Sequence, residues 1–253
     1  MRGDAANQFG RAMGGSSSGW WTLQSYPGEI STLDGGFYAA YSVQYSRFQN
    51  LNFVNGGKIY VGTVDWSTPA GVRSHDIEIL NNTFSGAQVR YGFIEVMFDN
   101  SRVEGNRITI SDGGTTTDHG IYLHNGRGNV LRGNIVDGAS GYGIHVYDER
   151  KRNSDPQTAI TNVIVEGNVL TGSRLRAGLI ISQGGDTVVD GVIVRNNVIS
   201  GNKKCGIDLT SYGSLRMKKI TVHDNKLSNN GNCGIIGGAA IDGSEITDNN
   251  IEP

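Results

Sequence analysis

Long apolar runs are missing from this chain. No segment approaches the ~20 residues that cross a bilayer, so no membrane partner is expected. No segment carries a sustained helical stripe either. Proline is scarce, at 4 residues. Cysteine is scarcer, at 2, too few for a disulfide framework. Excess charge is absent: the formal net charge is −2, which predicts no nucleic-acid partner. The first twenty residues, "MRGDAANQFGRAMGGSSSGW", lack the apolar stretch of a signal peptide. The chain is therefore cytosolic, or a leader has been removed from it. Glycine is abundant instead, at 38 of 253 residues and without a collagen period. That argues for many turns rather than long helices.

Two strings recur in step. The first carries an asparagine two residues before an apolar one: "LNNTF", "EGNRI", "RGNIV", "EGNVL", "RNNVI", "HDNKL" and "TDNNI". Its anchors are Asn82, Asn106, Asn134, Asn168, Asn197, Asn225 and Asn250, at spacings of 24, 28, 34, 29, 28 and 25. The second runs "HGIYLH", "YGIHVY", "AGLIIS", "CGIDLT" and "CGIIGG". Each repeat thus holds short β-type runs bounded by Gly, Asn and Asp. The period is too short for a propeller blade, and leucine-repeat and helical signatures are absent. It fits one coil of a parallel β-helix, each coil burying its apolar positions on the next. The expectation is an all-β chain: one right-handed parallel β-helix domain over 1–253, of about eight coils, with a poorly patterned segment at 1–20. The asparagines would form a ladder from coil to coil. No capping helix is legible, so further coils, loops or an oligomer partner are expected to cover the ends.

On these residues the chain resembles the pectate-lyase-like superfamily of right-handed parallel β-helices, over nearly its whole length. "SYPGEISTLDGG", residues 25–36, resembles the first coil of chondroitinase-B-like and alginate-lyase-like members. "YGFIEV" and "YGIHVY" are similar, more weakly, to the Tyr-Gly-Phe-Asp-Pro-His block of mannuronan C-5 epimerases, without its Asp-Pro-His part. The resemblance implies a polysaccharide partner and an extracellular or periplasmic setting. The fold itself hosts lyases, hydrolases, epimerases, esterases and tailspikes.

Three of the five histidines fall in two of the glycine blocks, His119–His124 and Tyr142–Tyr147. Alternate residues of a strand share a face, so burying Ile and Leu turns Tyr122 and His124 outward, then His145 and Tyr147. Adjacent coils stack at about 4.8 Å. Tyr122 is then expected beside His145, and His124 beside Tyr147, with Glu95 one coil earlier if Phe93 is an extra residue there. His119 precedes its glycine with the parity of a buried residue and stacks on Tyr142, as an orienting or turn residue. Cys205 and Cys233 share that position in later coils and read as a pair of buried thiols.

Two loops bracket the patch. Residues 148–158 carry Arg150, Lys151 and Arg152; residues 62–74 carry Trp66 and Arg73. A polysaccharide lyase needs a carboxylate partner, a base for the C-5 proton and an acid for the leaving oxygen. His124 or His145 suits the base, Tyr147 or Tyr122 the acid, and Arg127 or Arg150 the carboxylate. Trp66, Arg73, Lys151, Arg152, Glu95, His119 and Tyr142 are candidate binding residues. No cofactor is implied, and no clustered acids suggest a metal site. C-5 epimerisation would use the same groups. Glycoside hydrolysis, which needs two nearby carboxyls, and a non-catalytic carbohydrate-binding or tailspike-like solenoid remain open.

Overall fold

The computed structural model describes residues 14–40, 43–62, 73–148, 159–185, 187–213, 217–231, 233–237 and 241–253. Short strands wind into a right-handed parallel β-helix with three faces. Among the described residues, one face holds nine parallel strands, from Ser31–Asp34 to Asn250–Ile251. A second runs from Trp21–Gln24 through Ser74–Leu80 and Val130–Arg132 to Glu245–Thr247. The third carries Phe37–Ala40, Ile59–Gly62, Gly92–Asp99, His119–Arg127, Ile144–Asp148, Leu179–Gly185 and Ile207–Asp208.

The interior is built of columns. Phe48, Ile79, Val103, Leu131, Val165, Val194 and Val222 follow one another in register, all fully buried. Ile59, Ile94, Ile121, Ile144, Leu179 and Ile207 do the same beneath the third face. Each such side chain contributes roughly 1.5–3 kcal/mol of apolar burial.

The asparagine string has a backbone cause. The residue before each ladder asparagine is left-handed: Gly105 at φ 67°, Gly133 at 60°, Asp224 at 55°. Glycine, asparagine and aspartate tolerate that conformation best. Each asparagine Oδ1 then accepts from the preceding coil's asparagine, on both its backbone N–H and its Nδ2–H. Asn134 donates twice to Asn168 Oδ1, at 2.9 and 3.0 Å, and Asn168 twice to Asn197 Oδ1, at 2.9 Å each. The ladder runs from Asn82 through Asn106, Asn134, Asn168, Asn197 and Asn225. Its last rung is Asn249, not Asn250: Asn225 Nδ2 donates to Asn249 Oδ1 at 2.8 Å. Left-handed Asp248 sets the register there, which the doubled asparagine of "DNN" conceals.

The cysteines also differ from expectation. Cys205 and Cys233 form a disulfide, with Cα atoms 4.4 Å apart. One strand spacing between parallel side chains falls inside the range a disulfide spans.

Candidate active site

The third face bears a groove of about 730 Å³. Its middle is the Tyr122 strand and its neighbours. Tyr122 lies in register between Glu95 and His145, as the alternation predicts. The glycines that open each block allow the coils to close. A Cβ at Gly120 would sit 2.7 Å from the carbonyl oxygen of Gly143, and one at Gly143 would sit 2.8 Å from that of Gly178.

The register breaks after Leu123. His124 sits at this irregularity, and the pairing with the following coil ends at Leu123 and Val146, one residue short of it. It reaches back one coil instead, and its Nε2 lies 3.0 Å from Glu95 Oε1. Four rings on the two adjacent strands stack in file. His124 stacks on Tyr122 with centroids 3.6 Å apart, Tyr122 on His145 at 4.4 Å, and His145 on Tyr147 at 5.1 Å. The planes along this file diverge by only 23°, 17° and 13°.

Glu95 is almost buried, and its second oxygen accepts from Lys58 Nζ at 2.7 Å. Burial pushes its carboxyl pKa up, but the His124 hydrogen bond and the Lys58 charge outweigh this and hold it below the usual range. An ionised carboxylate only accepts, so the Nε2 of His124 carries the proton of this hydrogen bond and donates it to Glu95.

His119 is 1% exposed, and its Nδ1 accepts the backbone N–H of Tyr142 at 3.0 Å. Burial lowers its pKa to about 3. Its ring meets His145 edge-on at 4.1 Å between centroids and Tyr142 at 5.5 Å. Burial, then the charges of His119, His124 and Arg176, keeps His145 well below an ordinary imidazole. Its Nδ1 is buried without a partner among the described residues. Tyr142 is pushed up, first by burial and then by Asp208, so its hydroxyl stays protonated.

Of the residues expected here, Tyr122, His124, His145, Tyr147, Glu95, His119 and Tyr142 line the groove together. Arg127 does not. The strand His119–Arg127 turns a corner: Tyr122 pairs with Ile144–Asp148, but Arg127 pairs with Thr161 on the next face. Arg73 lies at the same corner, bound to Asp99 Oδ2 at 2.9 Å and Asn125 Oδ1 at 2.6 Å. Trp66, Arg150, Lys151 and Arg152 lie outside the described residues.

The groove adds residues that the motif search passed over. Lys58, Tyr38 and Tyr60 come from coils whose blocks, "GGFYAA" and "GGKIYVG", are degenerate copies of "HGIYLH". Aligning the glycines finds Tyr38 at the Tyr122 position, whereas Lys58 is an extra residue that shifts Tyr60 by one. Arg176 comes from the loop before "AGLIIS", where no repeat marks it. Its guanidinium carbon lies 6.0 Å from the Tyr142 ring centre, and its Nε is buried without a partner among the described residues.

The model of the right handed beta helix region matches residues 30–216. The chain belongs to that family. No curated protein sequence matches it significantly. Among solved structures, a mutant of the periplasmic alginate epimerase AlgG superposes with a TM-score of 0.61 at 16% identity, over 86% of this chain and 47% of that one. The A-module of the Azotobacter vinelandii mannuronan C-5 epimerase AlgE4 has 16% identity, 91% and 76% coverage and a TM-score of 0.37. The catalytic domain of a GH87 α-1,3-glucanase has 11%, 89%, 63% and 0.32. This family member thus spans about half the length of AlgG, and at such identity the likeness is one of fold.

Proposed function

We propose that the groove binds an anionic, uronate-containing polysaccharide and removes the C-5 proton of one sugar, with β-elimination of the O-4 substituent as the outcome. The observation that carries this reading is the Lys58–Glu95–His124 chain, which ends on an oriented imidazole stacked on Tyr122. His124 is the base. Glu95 fixes its tautomer and stabilises the imidazolium that forms, as carboxylates do for catalytic histidines elsewhere. Tyr147 or Tyr122 gives a proton to the leaving oxygen. Arg176 replaces Arg127 as the partner of the sugar carboxylate, since it lines the groove and Arg127 does not. His145, held well below an ordinary imidazole by burial, packs between Tyr122 and Tyr147.

Hydrolysis fits the groove less well. Its column acids, Glu95 and Asp208, are four strand steps apart. That is about 19 Å, against the roughly 5–10 Å a glycosidase needs. Glu95 is moreover committed to Lys58 and His124. The Cys205–Cys233 disulfide supports an extracellular or periplasmic setting. The neighbour AlgG, described as periplasmic and as an alginate epimerase, is in keeping with both parts of the reading.

A panel of uronate polysaccharides, read at the ultraviolet absorbance of an unsaturated product, tests elimination. Absorbance that grows with wild type and not with His124→Ala supports the lyase. Inverted C-5 centres without absorbance would move the reading to epimerisation.

A further inference from the structure

The groove extends well beyond the cluster at its centre. Its floor follows one outward column: Tyr38, Tyr60, Glu95, Tyr122, His145 and Ile180 line it, and Asp208 continues the column in register on the seventh successive strand. Tyr38 lines one end, and Tyr212, in the coil of Asp208, lines the other. Six strand spacings make about 29 Å, measured along the solenoid axis and not across the coils.

The end away from Arg176 is aromatic. The Tyr38 and Tyr60 ring centres are 6.1 Å apart with planes inclined by 37°. Tyr38 is 40% exposed, although Phe37 beside it is buried in the core. A single exposed tyrosine is unremarkable on any surface. Here two in register continue the floor of the groove that holds His124, and Lys58 lies 5.7 and 5.8 Å from their centres. Lys58 is already committed to Glu95, which leaves the rings as the unassigned surface at that end.

We infer that Tyr38 and Tyr60 form a sugar-stacking subsite at this end of the groove. The inference rests on the proposed polysaccharide substrate and assigns where its far end is held. The apolar face of a pyranose packs on a tyrosine ring and sheds water, while its hydroxyls and carboxylate stay at the polar rim. A pyranose advances its polymer by roughly one strand spacing, so successive sugars meet successive coils. Tyr38 is three steps from Tyr122 and holds a sugar about 14 Å from the reacting one. Binding energy collected there holds the reacting sugar in place without touching it.

The test is calorimetric titration with defined-length oligomannuronates and, in parallel, neutral cello-oligosaccharides, from dimer to octamer. Affinity should rise with length up to about six units. Tyr38→Ala should weaken hexamer binding about tenfold while leaving the dimer unchanged, and Tyr38→Phe should restore it, because the ring and not the hydroxyl is required. The same length and ring dependence confined to neutral oligosaccharides would keep the subsite and remove the uronate reading. Affinity independent of length beyond the trimer, an equal effect of Tyr38→Ala at every length, or binding of neither series overturns the subsite.

Discussion

His124 Nε2 and Glu95 Oε1 meet at 3.0 Å across one coil of the solenoid, at the one place where the register of the Tyr122 strand slips. The slip converts a ladder position into a side chain aimed back at a buried carboxylate. Glu95 is held from its other side by Lys58 at 2.7 Å.

That arrangement separates stability from activity. Glu95→Gln leaves the Lys58 ammonium buried without its anion, and breaking such a pair costs about 3–5 kcal/mol. Adding Lys58→Met should return most of that stability, measured by urea denaturation. It should not return turnover, which depends on the carboxylate behind His124. Recovery of both in the double variant would assign Glu95 a structural role only.

Acid should unfold the chain in two stages. His119 is depressed to about 3 by burial, so between an unfolded pKa of about 6.5 and that value only the unfolded state takes up its proton. Stability is therefore full above about pH 6.5 and falls as pH drops through this window, by several kcal/mol. His145, depressed in the same sense, adds to the loss. Glu78, Glu95 and Glu166, all held below their ordinary range, remove more only below the usual carboxylate pKa. Denaturant midpoints across this range should show the first stage shrinking in His119→Gln. An unchanged first stage would mean that His119 does not drive it.

The asparagine ladder should be graded along its length. Asn168 takes two hydrogen bonds from Asn134 and donates to Leu131 O at 3.0 Å and to Asn197. Asn168→Ala strands buried backbone groups on two coils and should cost about 3 kcal/mol. Asn249→Ala, on a partly exposed last rung, should cost less than half as much. Equal losses at both would argue that the rungs act only by local turn geometry.

The fold was legible because its two repeated strings have physical causes that survive divergence: a left-handed turn residue before each ladder asparagine, and a glycine where coils close on each other. Alternation and coil stacking also placed Tyr122 between Glu95 and His145. The same reasoning failed where the ladder is interrupted. His124 turns toward Glu95 at a slip that no spacing announces, and Arg127, three residues on, has already rounded the corner. Lys58 and Arg176 stand in degenerate or loop positions, where charge has no periodic signature. Cys205 and Cys233 were placed in one column, but the closeness of that column favours a bond between them.

The disulfide closes 28 residues of chain between neighbouring coils, for which loop-closure entropy suggests a contribution of about 3–4 kcal/mol. Cys205→Ser/Cys233→Ser should raise hydrogen exchange in strands after Cys205 while leaving the coil of His124 protected. Alkylation of the unreduced chain should label no cysteine. Labelling of both would restore the expectation of free thiols.

The central claim is that this groove takes the C-5 proton from a uronate. Nuclear magnetic resonance of polymannuronate, polyguluronate and polygalacturonate incubated with the chain in heavy water tests it most directly. The account predicts, for one of these polymers, loss of the C-5 proton signal. The loss should appear as an unsaturated sugar, or as deuterium at C-5 if the proton is returned, and His124→Ala should reduce the rate by about 10²- to 10⁴-fold. Retention of every C-5 proton across all three polymers, or loss at the wild-type rate in His124→Ala, would contradict it.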